Sequence, residues 1–178
     1  MNQTFRIAPQ HEELWRKLQH FDFDKGSIEG AFVRRLAKEQ RWKESFALLV
    51  VDEYRKFLFL MKTAGHMVTP SLFVDQAWHL HLIYTESYWE RLCLEIFNQP
   101  MHHSPGDGSN EDKEKFAAIY ARTLHDYSQV FGTPPTAVWG SANGLPDWRS
   151  VLARFRRPVQ ALAQIDLLAL FRRSKTAE

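Results

Sequence analysis

The spacing of the apolar residues is the feature of this sequence that most restricts its fold. Along almost the whole chain the large apolar side chains recur three and four residues apart, and they do not alternate for long enough to form strands. The longest such stretch is 43–64, and Gly65 behind it suits the left-handed position that follows a helix. The pattern therefore predicts an all-α protein.

The length of 178 residues favours one compact multi-helix domain rather than two. We expect a helical core domain over 1–132 and a linker rich in Pro and Gly over 133–146. A basic C-terminal helical extension over 147–178 should follow and pack on the core. Residues 145–178 contain seven Lys and Arg residues against three acidic ones, so a protein partner or an anionic lipid surface is the alternative to packing on the core.

Composition excludes several classes of protein. The single cysteine, Cys93, rules out an internal disulfide and a Cys-rich zinc module. A formal net charge of +2 is too balanced for a nucleic-acid footprint spread over the chain. No apolar run approaches the ~20 residues that span a bilayer, and no signal peptide is visible. These features are typical of a cytoplasmic protein with no membrane span and no nucleic-acid partner.

Histidines and one aspartate concentrate in the window 74–88. On a helix, Asp75 and His79 are four residues apart, so their side chains lie on one face a turn apart and could share a metal. Glu86 continues this stripe and is a candidate outer-shell base. His81 lies about 200° round the helix from His79, and we expect it to hydrogen-bond to Thr85 or to backbone.

A second pair of histidines lies in a segment rich in Pro and Gly, which predicts a functional loop at about 98–110. Such a loop can turn His102 or His103 towards the helix. Together with Asp75 and His79 they form a candidate metal site for Zn, Fe(II) or Mn, and no organic cofactor is implied. Five neighbours would support the site: Trp78, His81, Thr85, Glu86 and Tyr88.

Other interpretations of the same residues stay open. The His, Trp and Tyr side chains could form a hydrogen-bonded core clamp in a non-enzymatic interaction module whose basic tail binds a partner. A metal-free acid/base enzyme would pair His79 with His102 or His103. Cys93 could serve as a nucleophile beside a histidine, although a free cysteine is usually a small buried apolar residue. Nothing in the sequence names a substrate, a reaction or a catalytic residue.

About sixty residues resemble the glycine-rich domain-containing protein-like family, as a stand-alone member of the bacterial type. The matching elements are Asp52-Glu53-Tyr54-Arg55-Lys56-Phe57-Leu58, Pro70, Val74-Asp75-x-x-Trp78-His79-x-His81, Thr85, Tyr88 and His102-His103-x-Pro105. The resemblance implies a helical domain of largely undescribed biochemistry, whose plant members add a glycine-rich region and sometimes an RNA-recognition module. With only 8 Gly and no such module, this chain is not expected to bind RNA. The resemblance supplies no reaction.

Overall fold

Helices form nearly all of the regular structure in the computed structural model, which describes residues 5–24, 28–103 and 109–140. In chain order these are a 3-10 turn at Pro9–His11, α1 (Glu12–Gln19), α2 (Ala31–Gln40), α3 (Glu44–Thr63), α4 (Leu72–Ile83), a π-helix (Glu86–Phe97), α5 (Asn110–Phe131) and α6 (Thr136–Trp139). No strand occurs among the described residues. The prediction of an all-α protein is confirmed.

The long helix α3 lies at the centre and packs against α1, α2, α4, α5 and α6. Half of its residues are buried, and Tyr54, Phe57 and Leu58 are completely inaccessible to solvent. A helix that is apolar on several faces can bury all of them only when other helices surround it. Gly65 adopts a φ of 69° just after the helix ends, as its position in the sequence predicts.

The helix α4 packs along α3 and ends at Ile83. The Ser71 hydroxyl caps its start by accepting a hydrogen bond from the backbone N–H of Val74 at 3.2 Å. At Tyr84 the backbone leaves the α-helical region with a ψ of 67°, and the π-helix begins two residues later. At its far end Asn98 has a φ of 51°, which turns the chain back towards α4.

A buried carboxylate joins three of the helices. Glu53 of α3 is 2% exposed, and its Oε2 accepts hydrogen bonds at 2.8 Å from the Tyr127 hydroxyl of α5 and from the Trp139 indole of α6. Its Oε1 pairs with the Lys56 ammonium at 2.7 Å. Each acceptor oxygen therefore has a donor, which is what allows a charge to be buried here.

The proposed domain division extends past the described residues. Within the predicted linker, residues 136–139 form α6, and its Val138 and Trp139 are buried. Residues 141–146 of that linker, together with the whole of the predicted extension 147–178, lie outside the described residues. The boundaries and the basic tail thus stay predictions.

Among the described residues, no helix has both the length and the apolar character needed to cross a membrane.

His81 is a buried core residue on the side of α4 that faces the protein interior. Its Nδ1 lies 3.0 Å from the Tyr54 hydroxyl and its Nε2 lies 3.0 Å from Ser87 Oγ. These partners replace the expected Thr85, whose side chain is exposed. Burial lowers the pKa of His81 to about 3, with a smaller contribution from the positive charge of Arg91. The imidazole is therefore neutral in the folded protein.

Replacing Glu53 by Gln should destabilise the fold strongly. The amide would leave the mostly buried Lys56 ammonium without its counter-charge, and breaking a buried pair from one side costs about 3–5 kcal/mol. Urea unfolding followed by circular dichroism measures the change. Glu39→Gln is the matched control, because its ion pair with Arg35 is exposed and should contribute at most ~1 kcal/mol. Equal losses in the two variants would contradict the role given to Glu53.

Protonation of His81 should make the fold less stable in acid. Its pKa is about 3 when folded and ~6.5 when unfolded, so only the unfolded chain takes up the proton as the pH falls between these values. Stability is retained above about pH 6.5 and then decreases by up to ~1.4 kcal/mol per pH unit. Denaturant unfolding from pH 7 to 4.5 should show a shallower pH dependence in His81→Gln. An unchanged slope would contradict the prediction.

Candidate metal centre

Three potential ligands converge where α4 meets the loop that follows the π-helix. Asp75 and His79 lie one turn apart on α4, and His103 comes from the loop. His103 Nε2 is 2.9 Å from Asp75 Oδ1 and 3.1 Å from His79 Nε2. The third distance, from His79 Nε2 to Asp75 Oδ2, is 3.5 Å. Two imidazole nitrogens and a carboxylate thus face a common point.

These distances fit the ligands of a small divalent cation. Metal–ligand bonds of ~2.0–2.1 Å in a tetrahedral site place neighbouring ligand atoms about 3.3–3.4 Å apart. The separations from His103 Nε2, 2.9 Å to Asp75 Oδ1 and 3.1 Å to His79 Nε2, are a few tenths of an ångström shorter than this, and the 3.5 Å from His79 Nε2 involves the other carboxylate oxygen, Asp75 Oδ2. Hydrogen bonding alone accounts for the arrangement poorly, because His103 Nε2 carries at most one hydrogen and faces two partners. The residues present therefore fit a metal ion.

Hydrogen bonds from buried side chains fix the loop that supplies His103. The Trp78 indole N–H donates to the Tyr88 hydroxyl at 2.9 Å, and that hydroxyl donates to the backbone carbonyl of Met101 at 2.6 Å. The Trp78 ring also packs against the His103 ring with centroids 4.5 Å apart. Both donors are buried, so the loop is anchored two residues before His103.

The group is open to solvent on one side. The side chain of His79 is 50% exposed, whereas those of Asp75 and His103 are 24% and 17% exposed. Three protein ligands with a solvent-facing position are characteristic of catalytic metal sites, whereas structural sites are closed by four.

His102 is predicted as a ligand together with Asp75, His79 and His103, but it lies outside the group of three. Its side chain is exposed, and its ring lies 5.8 Å from that of Trp89. Neighbouring residues of an extended segment point in different directions, so the loop presents only His103 to α4. Residues 104–108, which include Pro105, lie outside the described residues.

The predicted supporting residues divide into three groups. Trp78 and Tyr88 hold the loop in place, while His81 is a core residue on the opposite side of α4. Thr85 and Glu86 are exposed beyond the end of α4. Because the α-helix ends at Ile83, the expected stripe from His79 to Glu86 is interrupted.

Cys93 does not have the environment of a nucleophile. Its side chain is fully buried in the π-helix, and burial raises the pKa of the thiol. A nucleophilic cysteine needs a lowered pKa and access to substrate. Cys93 therefore acts as a small apolar core residue.

A second histidine–aspartate pair has no signal in the sequence. His66 Nε2 lies 2.7 Å from Asp126 Oδ2, and His66 Nδ1 lies 2.8 Å from the carbonyl oxygen of Met67. The pair joins the loop before α4 to α5. Its members are 60 residues apart, so only the packing of the helices brings them together.

Comparison with known proteins corrects the family inferred from the motifs. The family model of the UCP032817-like proteins, an uncharacterised family, matches residues 15–123. The match spans more than half of the chain and includes Asp75, His79 and His103. The assignment to the glycine-rich domain-containing protein-like family is therefore wrong. No curated protein and no solved structure gives a significant match. The chain belongs to the UCP032817-like family.

Proposed function

We propose that the protein binds one divalent metal ion through Asp75, His79 and His103 and uses it as a Lewis acid in an enzymatic reaction. The observation that carries this proposal is the convergence of the three ligand atoms, which all lie within 4.8 Å of one another. Two of the ligands come from one helical turn, and the third is held by an anchored loop.

The ligand set narrows the choice of metal. Two neutral imidazoles and one carboxylate suit Zn, Fe(II) or Mn, whereas Mg and Ca prefer ligand sets made of oxygen atoms. When bound, such a metal polarises a substrate oxygen or lowers the pKa of a bound water. No organic cofactor is part of the proposal.

The protein residues would orient the site. Trp78 packs edge to face against the His103 ring, and the hydrogen bond from Tyr88 to Met101 holds the loop next to α4. His79 is the most exposed of the three ligands, so substrate would approach from its side. The Asp75 carboxylate would neutralise part of the charge of a divalent cation, and the site would remain net positive.

A non-enzymatic interaction module is the alternative function. The hydrogen bonds that run from Trp78 through Tyr88 to Met101, with the buried His81, favour it because they would hold α4, the π-helix and the loop together without a metal. In this case the basic tail would bind a protein partner. The tail lies outside the described residues. The two functions are therefore best distinguished by testing whether the protein binds a metal ion.

Protein purified without a His-tag should contain one metal ion per chain. His79→Ala and His103→Ala should each reduce the metal content several-fold, because two protein ligands remain. His102→Ala is the matched control, since this neighbouring histidine lies outside the group and should leave the metal content unchanged. Elemental analysis measures all four proteins.

Removal of the metal should also lower the melting temperature, because an ion that binds only the folded state stabilises it. EDTA should shift the melting curve of the wild-type protein and leave that of His79→Ala unaffected. The proposal is abandoned if the purified protein lacks metal and cannot be loaded with Zn, Fe(II) or Mn, or if EDTA shifts both curves equally.

Tyr88→Phe should weaken metal binding without removing a ligand. The substitution deletes the hydroxyl that donates to Met101 and frees the loop that carries His103. Loss of a group that hydrogen-bonds a metal ligand directly typically costs ~10–100-fold in metal affinity, and because Tyr88 acts through the loop we expect a loss at the lower end of this range, about tenfold. Competition with a chromophoric chelator measures the change. Tyr84→Phe provides a half-buried tyrosine as control, and equal effects of the two substitutions would contradict the role of Tyr88.

A further inference from the structure

The segment that joins α3 to α4 has to return along the length of α3. Phe46 of α3 packs against Phe73 of α4 with ring centroids 5.2 Å apart. Further along both helices, Tyr54 hydrogen-bonds to His81, so α3 and α4 run in the same direction. The connection, residues 64–71, therefore spans about 25 Å, from the end of α3 back to the level of Phe46. A segment of this length reaches at most about 26–29 Å, so it is nearly extended, and we call it the strap.

Two contacts attach the strap to α5. His66 Nε2 lies 2.7 Å from Asp126 Oδ2, and three residues later the backbone N–H of Thr69 donates to Thr123 Oγ1 at 3.1 Å. The side chains of His66 and Asp126 are only 15% and 26% exposed, which shields their interaction from solvent. Only the last residue of the strap is fully buried. The position of the strap therefore depends on its contacts with α5.

The geometry of His66 calls for a proton on both ring nitrogens. Its Nδ1 lies 2.8 Å from the carbonyl oxygen of Met67, so one nitrogen faces a carbonyl and the other faces the Asp126 carboxylate. Both oxygens are acceptors, and a neutral imidazole has a single N–H with which to satisfy them. Because a carboxylic acid is a stronger acid than an imidazolium ion, the additional proton belongs on the ring. The arrangement thus fits an imidazolium paired with a carboxylate.

The other charged groups on the neighbouring turns are engaged elsewhere or face solvent. On α3, one turn before the imidazole, the Lys62 ammonium donates to the carbonyl oxygen of Phe97 at 2.7 Å. On α5, Arg122 and His125 are exposed. The carboxylate of Asp126 is therefore the charged group that faces the imidazole from α5.

We propose that His66 and Asp126 form a pH-dependent latch that holds the strap on α5. While the imidazole is doubly protonated, both of its contacts are hydrogen bonds and the strap is fixed. When the pH rises and the ring loses a proton, two lone pairs face each other at one contact and the strap detaches there. The latch therefore stabilises the strap at low pH, and this contribution is lost as the pH rises. It lies outside the candidate metal centre and does not rest on the function proposed above.

NMR of the imidazole nitrogens tests the protonation state directly. At pH 7 both ring nitrogens of His66 should carry a proton, and their signals are assigned by their absence in His66→Gln. The exposed His125 is the internal control, because an isolated imidazole loses its second proton near pH 6.5. Asp126→Asn should lower the pH at which the His66 ring loses this proton by about one unit, since the opposite charge is removed.

Hydrogen exchange of the Thr69 amide reports the position of the strap, because this N–H meets Thr123 Oγ1 only when the strap lies on α5. After correction for the intrinsic pH dependence of exchange, its protection should fall severalfold from pH 6 to pH 8.5 in the wild-type protein. In Asp126→Asn the protection should vary little, because an amide can accept from the protonated ring or donate to the neutral one. His125→Gln is the matched control and should keep the wild-type dependence.

Three results would overturn the inference. The first is a His66 ring that is neutral at pH 7 in the wild-type protein. The second is an equal pH dependence of Thr69 protection in the wild-type protein and in Asp126→Asn. The third is a loss of protection that extends equally to the core amides of α3, which indicates global unfolding rather than release of the strap. The first and third are read from the wild-type protein, so the inference stays testable if a variant does not fold.

Discussion

The packing of α4 against α3 is the constraint on which the candidate site depends. Val74, Ala77 and His81 are completely buried on the inner side of α4, which fixes the rotation of the helix about its own axis. With that rotation set, His79 must point to solvent and Asp75 must lie at the edge of the exposed side of the helix. The pair of ligands on α4 is therefore placed by apolar burial on the opposite side of the same helix.

The third ligand depends on a different interaction. The chain leaves the π-helix at Asn98, and the Tyr88 hydroxyl fixes it to the protein at Met101. This hydroxyl is itself held by the Trp78 indole of α4. The loop is thus attached to the same helix that carries the other two candidate ligands. Side chains that are not ligands therefore maintain the geometry of Asp75, His79 and His103.

A difference in burial gives different roles to His79 and His81, which are only two residues apart. His81 is inaccessible to solvent, and burial lowers its pKa to about 3, so its role is to complete buried hydrogen bonds. The side chain of His79 is half exposed, and it faces a carboxylate and a second imidazole. The same residue type therefore serves the core on one side of α4 and a candidate ligand set on the other.

The sequence by itself determined that the protein is helical, that Asp75 and His79 share a face and that His81 points away from them, because helix periodicity is local. It did not distinguish His102 from His103, since the direction of a loop residue depends on distant contacts such as that of Tyr88 with Met101. It also carried no signal for the bonds of Glu53 to Tyr127 and Trp139 or for the pair of His66 and Asp126, whose members lie 60 or more residues apart. Those contacts were decided only by the tertiary structure, which brings together helices that the chain keeps far apart.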